Sequence, residues 1–159
     1  MTVLIRPAKP ADVPVIADLI RGLARFEKLE DQVALTDELL AEGLFGPRPY
    51  AESVLAEVEG HPAGFALFFH SFSTFLARPG LYLEDLFVLP ERRGQGIGRA
   101  LLAHLARLAV ERGCGRMEWA VLDWNQEAIS FYERLGATAM SEWTTYRLTG
   151  EAIDRLARE

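Results

Sequence analysis

The stretch Leu81–Val110, reading LYLEDLFVLP, ERRGQGIGRA, LLAHLARLAV, constrains the fold more than any other part of the chain. Its first block predicts a buried strand over Leu81–Leu89. In the last, Leu101, Leu102, Leu105, Leu108 and Ala109 recur on one face of a helix predicted over Ile97–Arg112. Between them Gly94, Gly96 and Gly98 occupy alternate positions, with Arg92, Arg93 and Arg99 beside them. Glycine lets a backbone bend tightly and approach a ligand with no Cβ in the way. The helix that follows opens with unpaired N–H groups and the positive end of its dipole. Strand, turn and helix together predict an anion site, and the anion best matched is a phosphate.

Two common phosphate loops do not fit. A dinucleotide-binding G-x-G-x-x-G read from Gly94 meets Arg99 where its third glycine belongs, and read from Gly96 it meets Leu101. The Gly-Lys-Ser/Thr ending of a nucleotide P-loop is absent. What remains is R-x-x-G-x-G, on Arg93, Gly96 and Gly98.

The rest of the chain supplies the elements around this unit. A short strand is predicted at Val3–Arg6. A helix capped by Asp12 carries Val13, Ile16, Leu19, Ile20, Leu23 and Phe26 at helical spacing. A second helix opens at Thr36. Glu52–Val58, Ala63–Phe72 and Leu81–Leu89 read as an antiparallel meander. After the glycine-led helix come a strand at Met117–Leu122, a helix capped by Asp123 or Asn125 and ending at Gly136, a last strand at Trp143–Leu148 and a terminal helix at Glu151–Arg158. The order predicts one α/β or α+β domain over residues 1–159 with a mixed sheet.

Charge narrows the ligand. The chain carries 17 basic and 23 acidic residues, a net charge of −6. A basic nucleic-acid surface is not expected, whereas a local arginine cluster suits a small polyanion. The single cysteine, Cys114, excludes an intrachain disulfide and a cysteine-built metal site. His61, His70 and His104 show no metal spacing, so no metal is expected; His104 reads as structural, and His70 as a residue bordering an acceptor site. No apolar run reaches the ~18 residues of a membrane span. A cytoplasmic location is the default expectation.

The R-x-x-G-x-G turn resembles the acetyl-coenzyme A loop of the GNAT acyltransferases. The resemblance extends to DWNQEAISFYERLGA at Asp123–Ala137, which matches that superfamily's W-N-x-x-x-x-x-F-Y-x-x-x-G-A block, and to the opening IRPAKPAD. With LYLEDLFV and FEKLEDQV, the chain is most similar to the diamine and polyamine N-acetyltransferases. The resemblance implies a mostly antiparallel central sheet flanked by helices, with strands splayed at the acetyl-CoA site, and a homodimer. It implies direct acetyl transfer from acetyl-CoA to a primary amine of a small molecule. Other classes stay open: a non-catalytic acyl-CoA-binding or sensor module, or an acetyltransferase acting on a protein or peptide amine.

The residues expected to act follow. An alkylammonium with a pKa of about 10.4 must lose a proton before it attacks. Glu84 and Asp85 are adjacent carboxylates inside an apolar strand, where unpartnered charge is costly. Neighbouring strand residues point to opposite faces, so only one faces a given site unless a bulge intervenes. The resemblance assigns Glu84 as the base, acting through water, and places Asp85 near the acceptor amine. It makes Tyr132, a phenol protonated at neutral pH, the acid for the departing thiolate. Cofactor contacts are expected from the backbone of Leu86, Phe87 and Val88, from Arg93, Gly94, Gln95, Gly96, Ile97, Gly98 and Arg99, and from Asn125 and Tyr132. Acceptor contacts are expected from Glu27, Glu84, Asp85 and Trp143. The polyamine enzymes carry an acidic pair and a tryptophan after the G-A turn; here Trp143, Thr144 and Tyr146 stand there, which weakens the case for spermidine or spermine and leaves shorter amines and lysine analogues such as thialysine.

Overall fold

The computed structural model describes residues 1–159 as two compact units, Met1–Ala120 and Val121–Glu159. The first unit holds a sheet of five strands in the order β1-β2-β3-β4-β5: β1 Val3–Pro7, β2 Glu52–Val58, β3 His61–Ser73, β4 Arg78–Val88 and β5 Arg116–Trp119. The first four pair antiparallel, and β5 lies parallel to β4. The mixed sheet and its meander agree with the sequence expectation, with β3 and β4 a little longer than predicted.

Helix α1 (Val13–Phe26) packs one face of the sheet, burying Val13, Ile16, Ala17, Leu19 and Leu23 with Leu55, Phe65, Leu67 and Phe87. Helix α2 (Asp37–Phe45) adds Leu40 and Leu44 to the same cluster. Thr36 starts α2 as its sequence predicts, the hydroxyl accepting the Leu39 N–H at 3.1 Å. Asp12 does not cap α1 with its side chain. A stronger partner competes: Arg6 grips it through Nη1 at 2.8 Å and Nη2 at 3.0 Å, and the Lys9 N–H donates at 2.7 Å. Helix α3 (Ile97–Glu111) buries Ile97, Leu101, Leu102, Leu105 and Ala109. It ends at Gly113 (φ 72°), where the Cys114 N–H reaches the Ala109 carbonyl and the Gly113 N–H the Val110 carbonyl, a Schellman ending.

The second unit contains α4 (Gln126–Arg134) and α5 (Glu151–Ala157). Trp143–Leu148 is not a strand; Trp143 donates its N–H to the Met140 carbonyl in a turn, and residues 141–150 are exposed. Aromatic and β-branched residues favour a strand only where neighbouring strands give them a pleated surface to pack on, and this unit contains no strand. The strand predicted at Met117–Leu122 likewise starts one residue earlier and stops at Trp119, its length set by pairing with Gly80–Leu83.

Candidate active site

The site is built on β4. In its ladder with β3, Leu67 faces Asp85 and Phe68 faces Leu83, so Glu84 is an extra residue with no partner. This is a β-bulge, and it settles which way the two carboxylates point. Without it, Leu83 and Asp85 would share a face. With it, Leu83 pairs with Phe68 on one face and Asp85 pairs with Leu67 on the face where Phe87 meets α1. Glu84 is exposed and Asp85 half-buried.

Glu27, immediately after α1, joins them. Burial and then the charge of Glu84 push the Glu27 carboxyl upward. Asp85 is raised furthest, to about 7, by burial first and then by Glu84 and Glu27. No ion pair engages Glu27, Glu84 or Asp85. A loop residue with positive φ, Lys28 at 62°, turns the chain directly after Glu27. The three carboxylates assigned to the acceptor from sequence are thus brought together, and Asp85 is held near half-protonation at neutral pH.

Beyond the bulge, β4 outruns its parallel neighbour. The β4–β5 ladder ends at Leu83 with Trp119, while β4 continues to Val88. The stretch Glu84–Val88 is therefore unpaired on that edge, the splay the sequence reading expected. Along a strand successive residues turn their backbone groups to alternate edges. The Leu89 N–H bonds the Ala63 carbonyl on β3, and the Phe87 carbonyl lies only 2.6 Å from where a Cβ on Gly64 would stand. Leu86 and Val88 therefore present their backbone groups to the open edge, and Phe87 presents its own to β3.

The glycine turn follows at once. Gly94 (φ 75°) and Gly96 (φ 79°) both lie in the left-handed region, and a Cβ on either would meet nothing within 4 Å. Conformation, not crowding, demands glycine here. Gly96 caps α3 without a side-chain acceptor, and no acidic residue stands in the first turn. The N–H groups of Ile97, Gly98 and Arg99 precede the first helical bond, from the Ala100 N–H to the Gly96 carbonyl, and are free for an anion. Arg99 and Gln95 are exposed beside them, and Arg92 is half-buried. Arg93 behaves differently from the expected phosphate ligand. Its Nε donates to the Val88 carbonyl at 3.1 Å, and its guanidinium stacks 4.7 Å from the Phe26 ring and 5.5 Å from the Phe87 ring. Sequence reasoning missed this clamp between the end of α1 and the end of β4, because nothing local to R-x-x-G-x-G signals an aromatic partner elsewhere in the chain.

In the second unit Asn125 caps α4, its Oδ1 accepting the Ala128 N–H at 3.2 Å. Tyr132 is half-buried with its ring 5.6 Å from that of Phe131. Its carbonyl accepts the Ala137 N–H while Glu133 accepts from Gly136 (φ 93°), a second Schellman ending. This explains physically why the block closes on Leu-Gly-Ala: the left-handed Gly136 fixes the helix end at Arg134, two residues after the tyrosine. Trp143 is exposed in the strandless segment. His70 lies 3.4 Å from Arg112, which grips Glu52 at 2.7 and 2.9 Å, so it belongs to an ion-pair cluster and not to the carboxylate trio. Burial lowers the His104 pKa, as suits a neutral structural residue.

Free N–H groups at the start of α3, an open strand edge before them and carboxylates without ion pairs on that strand and at the end of α1 fit an acyl-group transferase. The chain belongs to the acetyltransferase (GNAT) family, whose model matches residues 17–137. It is 41% identical over 166 residues to bovine thialysine N-epsilon-acetyltransferase, covering 98% of this chain and 97% of that protein. It is 36% identical to the L-ornithine N5-acetyltransferase NATA1 of Arabidopsis thaliana, covering 96% of this chain and 86% of the relative. Among solved structures, a V. cholerae integron cassette protein superposes with a TM-score of 0.83 at 29% identity, covering 100% of this chain and 99% of the other. The protein is an acetyl-CoA-dependent N-acetyltransferase acting on a small-molecule amine. No helix is long and apolar enough to cross a membrane.

Proposed function

We propose that the acceptor is a primary amine on a short aliphatic chain, of the diamine or lysine-analogue kind, bound as its ammonium among Glu27, Glu84 and Asp85. The observation that carries this is the absence of any ion pair at three interacting carboxylates, one of them raised to about 7. Such a cluster is costly alone and is relieved by a bound cation. The names of the bovine and Arabidopsis relatives, both amino acids with a side-chain amine, support the same acceptor class.

Acetyl-CoA supplies the activated acetyl group as a thioester. The free N–H groups after Gly96 hold its pyrophosphate, with Gly94, Gln95, Gly98 and Arg99 around it. Leu86 and Val88 offer backbone hydrogen bonds to its pantetheine arm along the open edge of β4, as an added strand would. Phe87 supports that edge from the core, Arg93 clamps it to α1, and Asn125 is a further pantetheine contact. Glu84 removes the ammonium proton through water. The amine nitrogen then bonds to the acetyl carbon, the C–S bond breaks, Tyr132 protonates the departing thiolate, and the proton that the acylated nitrogen sheds restores the Tyr132 phenol. Asp85 and Glu27 hold the ammonium, and Trp143 is an aromatic contact for the acceptor. The family match runs across residue 120, which supports reading residues 1–159 as one domain. The protein works in the cytoplasm as a homodimer, for which Phe72, Phe75 and Leu76 at the tip of the β3–β4 hairpin offer an exposed apolar surface.

The test is thiol release from acetyl-CoA across diamines, polyamines, lysine analogues and peptide amines. Tyr132→Phe is expected to lower kcat by roughly 10²-fold or more while acetyl-CoA raises the melting temperature as before. Cofactor binding with no amine-dependent turnover in the unmodified protein would mean a binding module instead.

A further inference from the structure

An open pocket of about 230 Å³ lies along the C-terminal half of α1, lined by Arg21, Ala24, Arg25, Glu30, Val33 and Leu35. Arg21 and Arg25 are four residues apart and share a helix face, where like charges repel. The negative end of the helix dipole favours an arginine in the last turn, but it does not explain two arginines at one pocket. Arg21 has only a long exposed contact to Asp18, at 3.4 Å. Arg25 and Glu30 form no ion pair, with each other or with any other residue. The pocket thus offers a cationic and an anionic edge that do not neutralise one another, across an apolar floor.

The pocket lies beside the strand that carries Asp85: Phe87 follows Asp85 by two on β4 and shares its face. At Gly22 a Cβ would lie 3.0 Å from the Phe87 ring and 3.7 Å from the Arg25 guanidinium. That glycine brings the arginine side chain and the strand of the acidic cluster to one place. A ligand spanning both would carry an ammonium at one end and a zwitterion at the other.

We propose that this pocket reads the head group of an amino-acid acceptor: Arg25 and Arg21 take its α-carboxylate, Glu30 its α-ammonium, and the side-chain amine reaches Glu27, Glu84 and Asp85. This deepens the reading above and rests on it. The protein then selects amino acids with a terminal side-chain amine over the diamines that lack the carboxylate.

The experiment compares kcat/KM for L-ornithine against putrescine and for L-lysine against cadaverine, in the unmodified protein and in Arg25→Gln, Arg21→Gln and Glu30→Gln. The amino acid is expected to be preferred about tenfold or more, the loss of one charge-assisted contact being of that size. Arg25→Gln is expected to collapse that preference about tenfold, through KM and not kcat, with part of it restored by Arg25→Lys. Arg21→Gln is an independent variant in case Arg25→Gln folds poorly, which a melting curve shows. Preference for the diamines, or an equal loss for both acceptors in every folded variant, overturns the pocket assignment alone. Failure of every amine to be acetylated while acetyl-CoA binds overturns the acceptor reading itself.

Discussion

Asp85→Asn tests the electrostatics of the site through stability, without reference to any substrate. The Asp85 carboxyl moves from its ordinary 3.8 to about 7 on folding, because burial and the neighbouring Glu84 and Glu27 disfavour its charge. A group whose pKa is raised by folding helps the folded state at low pH and loses that help as pH rises through the folded value. At about 1.4 kcal/mol per pH unit, the cost of ionised Asp85 reaches about 4 kcal/mol above pH 8 and only about 1.5 kcal/mol at pH 5. Asparagine has nearly the same shape and no charge. The variant is therefore expected to be more stable than the unmodified protein at pH 8.5, by up to about 4 kcal/mol, with the advantage shrinking by roughly 3 kcal/mol at pH 5. In a chain of this size that corresponds to a melting point higher by roughly 10 °C at the alkaline end. Urea unfolding at pH 5, 7 and 8.5 measures it. An advantage that does not change with pH, or a variant less stable at pH 8.5, would refute the claim that the three carboxylates repel one another in the folded protein.

Other perturbations report on separate parts of the structure. Gly96→Ala places a side chain at φ 79°; it is expected to cost about 1–2 kcal/mol in denaturant unfolding and to weaken acetyl-CoA binding, seen as a smaller ligand-induced rise in melting temperature. Gly64→Ala sets a Cβ 2.6 Å from the Phe87 carbonyl oxygen, so the β3–β4 ladder must shift; a loss of about 1–3 kcal/mol is expected in the same assay. Asp12→Asn breaks the pair with Arg6, which holds the Asp12 carboxyl below its ordinary range. Its stabilisation is present above pH 4 and lost as pH falls, so the variant and the unmodified protein are expected to converge in acid melts and to differ at pH 7.

Much of the first unit was legible in the chain because its signals are local. The helical spacing from Val13 to Phe26, the Thr36 cap and the left-handed glycines each specify their own structure. The Glu84 bulge was not, since a bulge is a property of pairing: LYLED reads as uninterrupted alternation until β3 supplies the register that leaves Glu84 over. The Arg93 clamp was hidden for the same reason, its aromatic partners being distant in sequence. Trp143–Leu148 failed in the opposite direction. Its composition is strand-like, but composition cannot supply the neighbouring strand that a ladder requires.

The bulge also bears on the proposed use of one strand for two substrates of opposite charge. Within β4 and the turn after it, Glu84 and Asp85 present negative charge, Leu86 and Val88 present backbone that no neighbouring strand pairs, the Val88 carbonyl being held by Arg93, and the Gly94–Arg99 turn presents N–H groups and arginine. Pairing skips Glu84, so Leu83 and Asp85 take adjacent ladder positions opposite Phe68 and Leu67 and point to opposite faces, Asp85 toward α1. Deleting Glu84 leaves those two pairings as they are and removes the bulge, so Asp85 keeps its face while the cluster loses one carboxylate. Deletion of Glu84 is therefore expected to resemble Glu84→Gln: both remove the proposed base and lower the rate of acetyl transfer, and both keep a cooperative urea transition at a similar midpoint, whereas a deletion variant far less stable than Glu84→Gln would refute the claim that Glu84 stands outside the β3–β4 ladder.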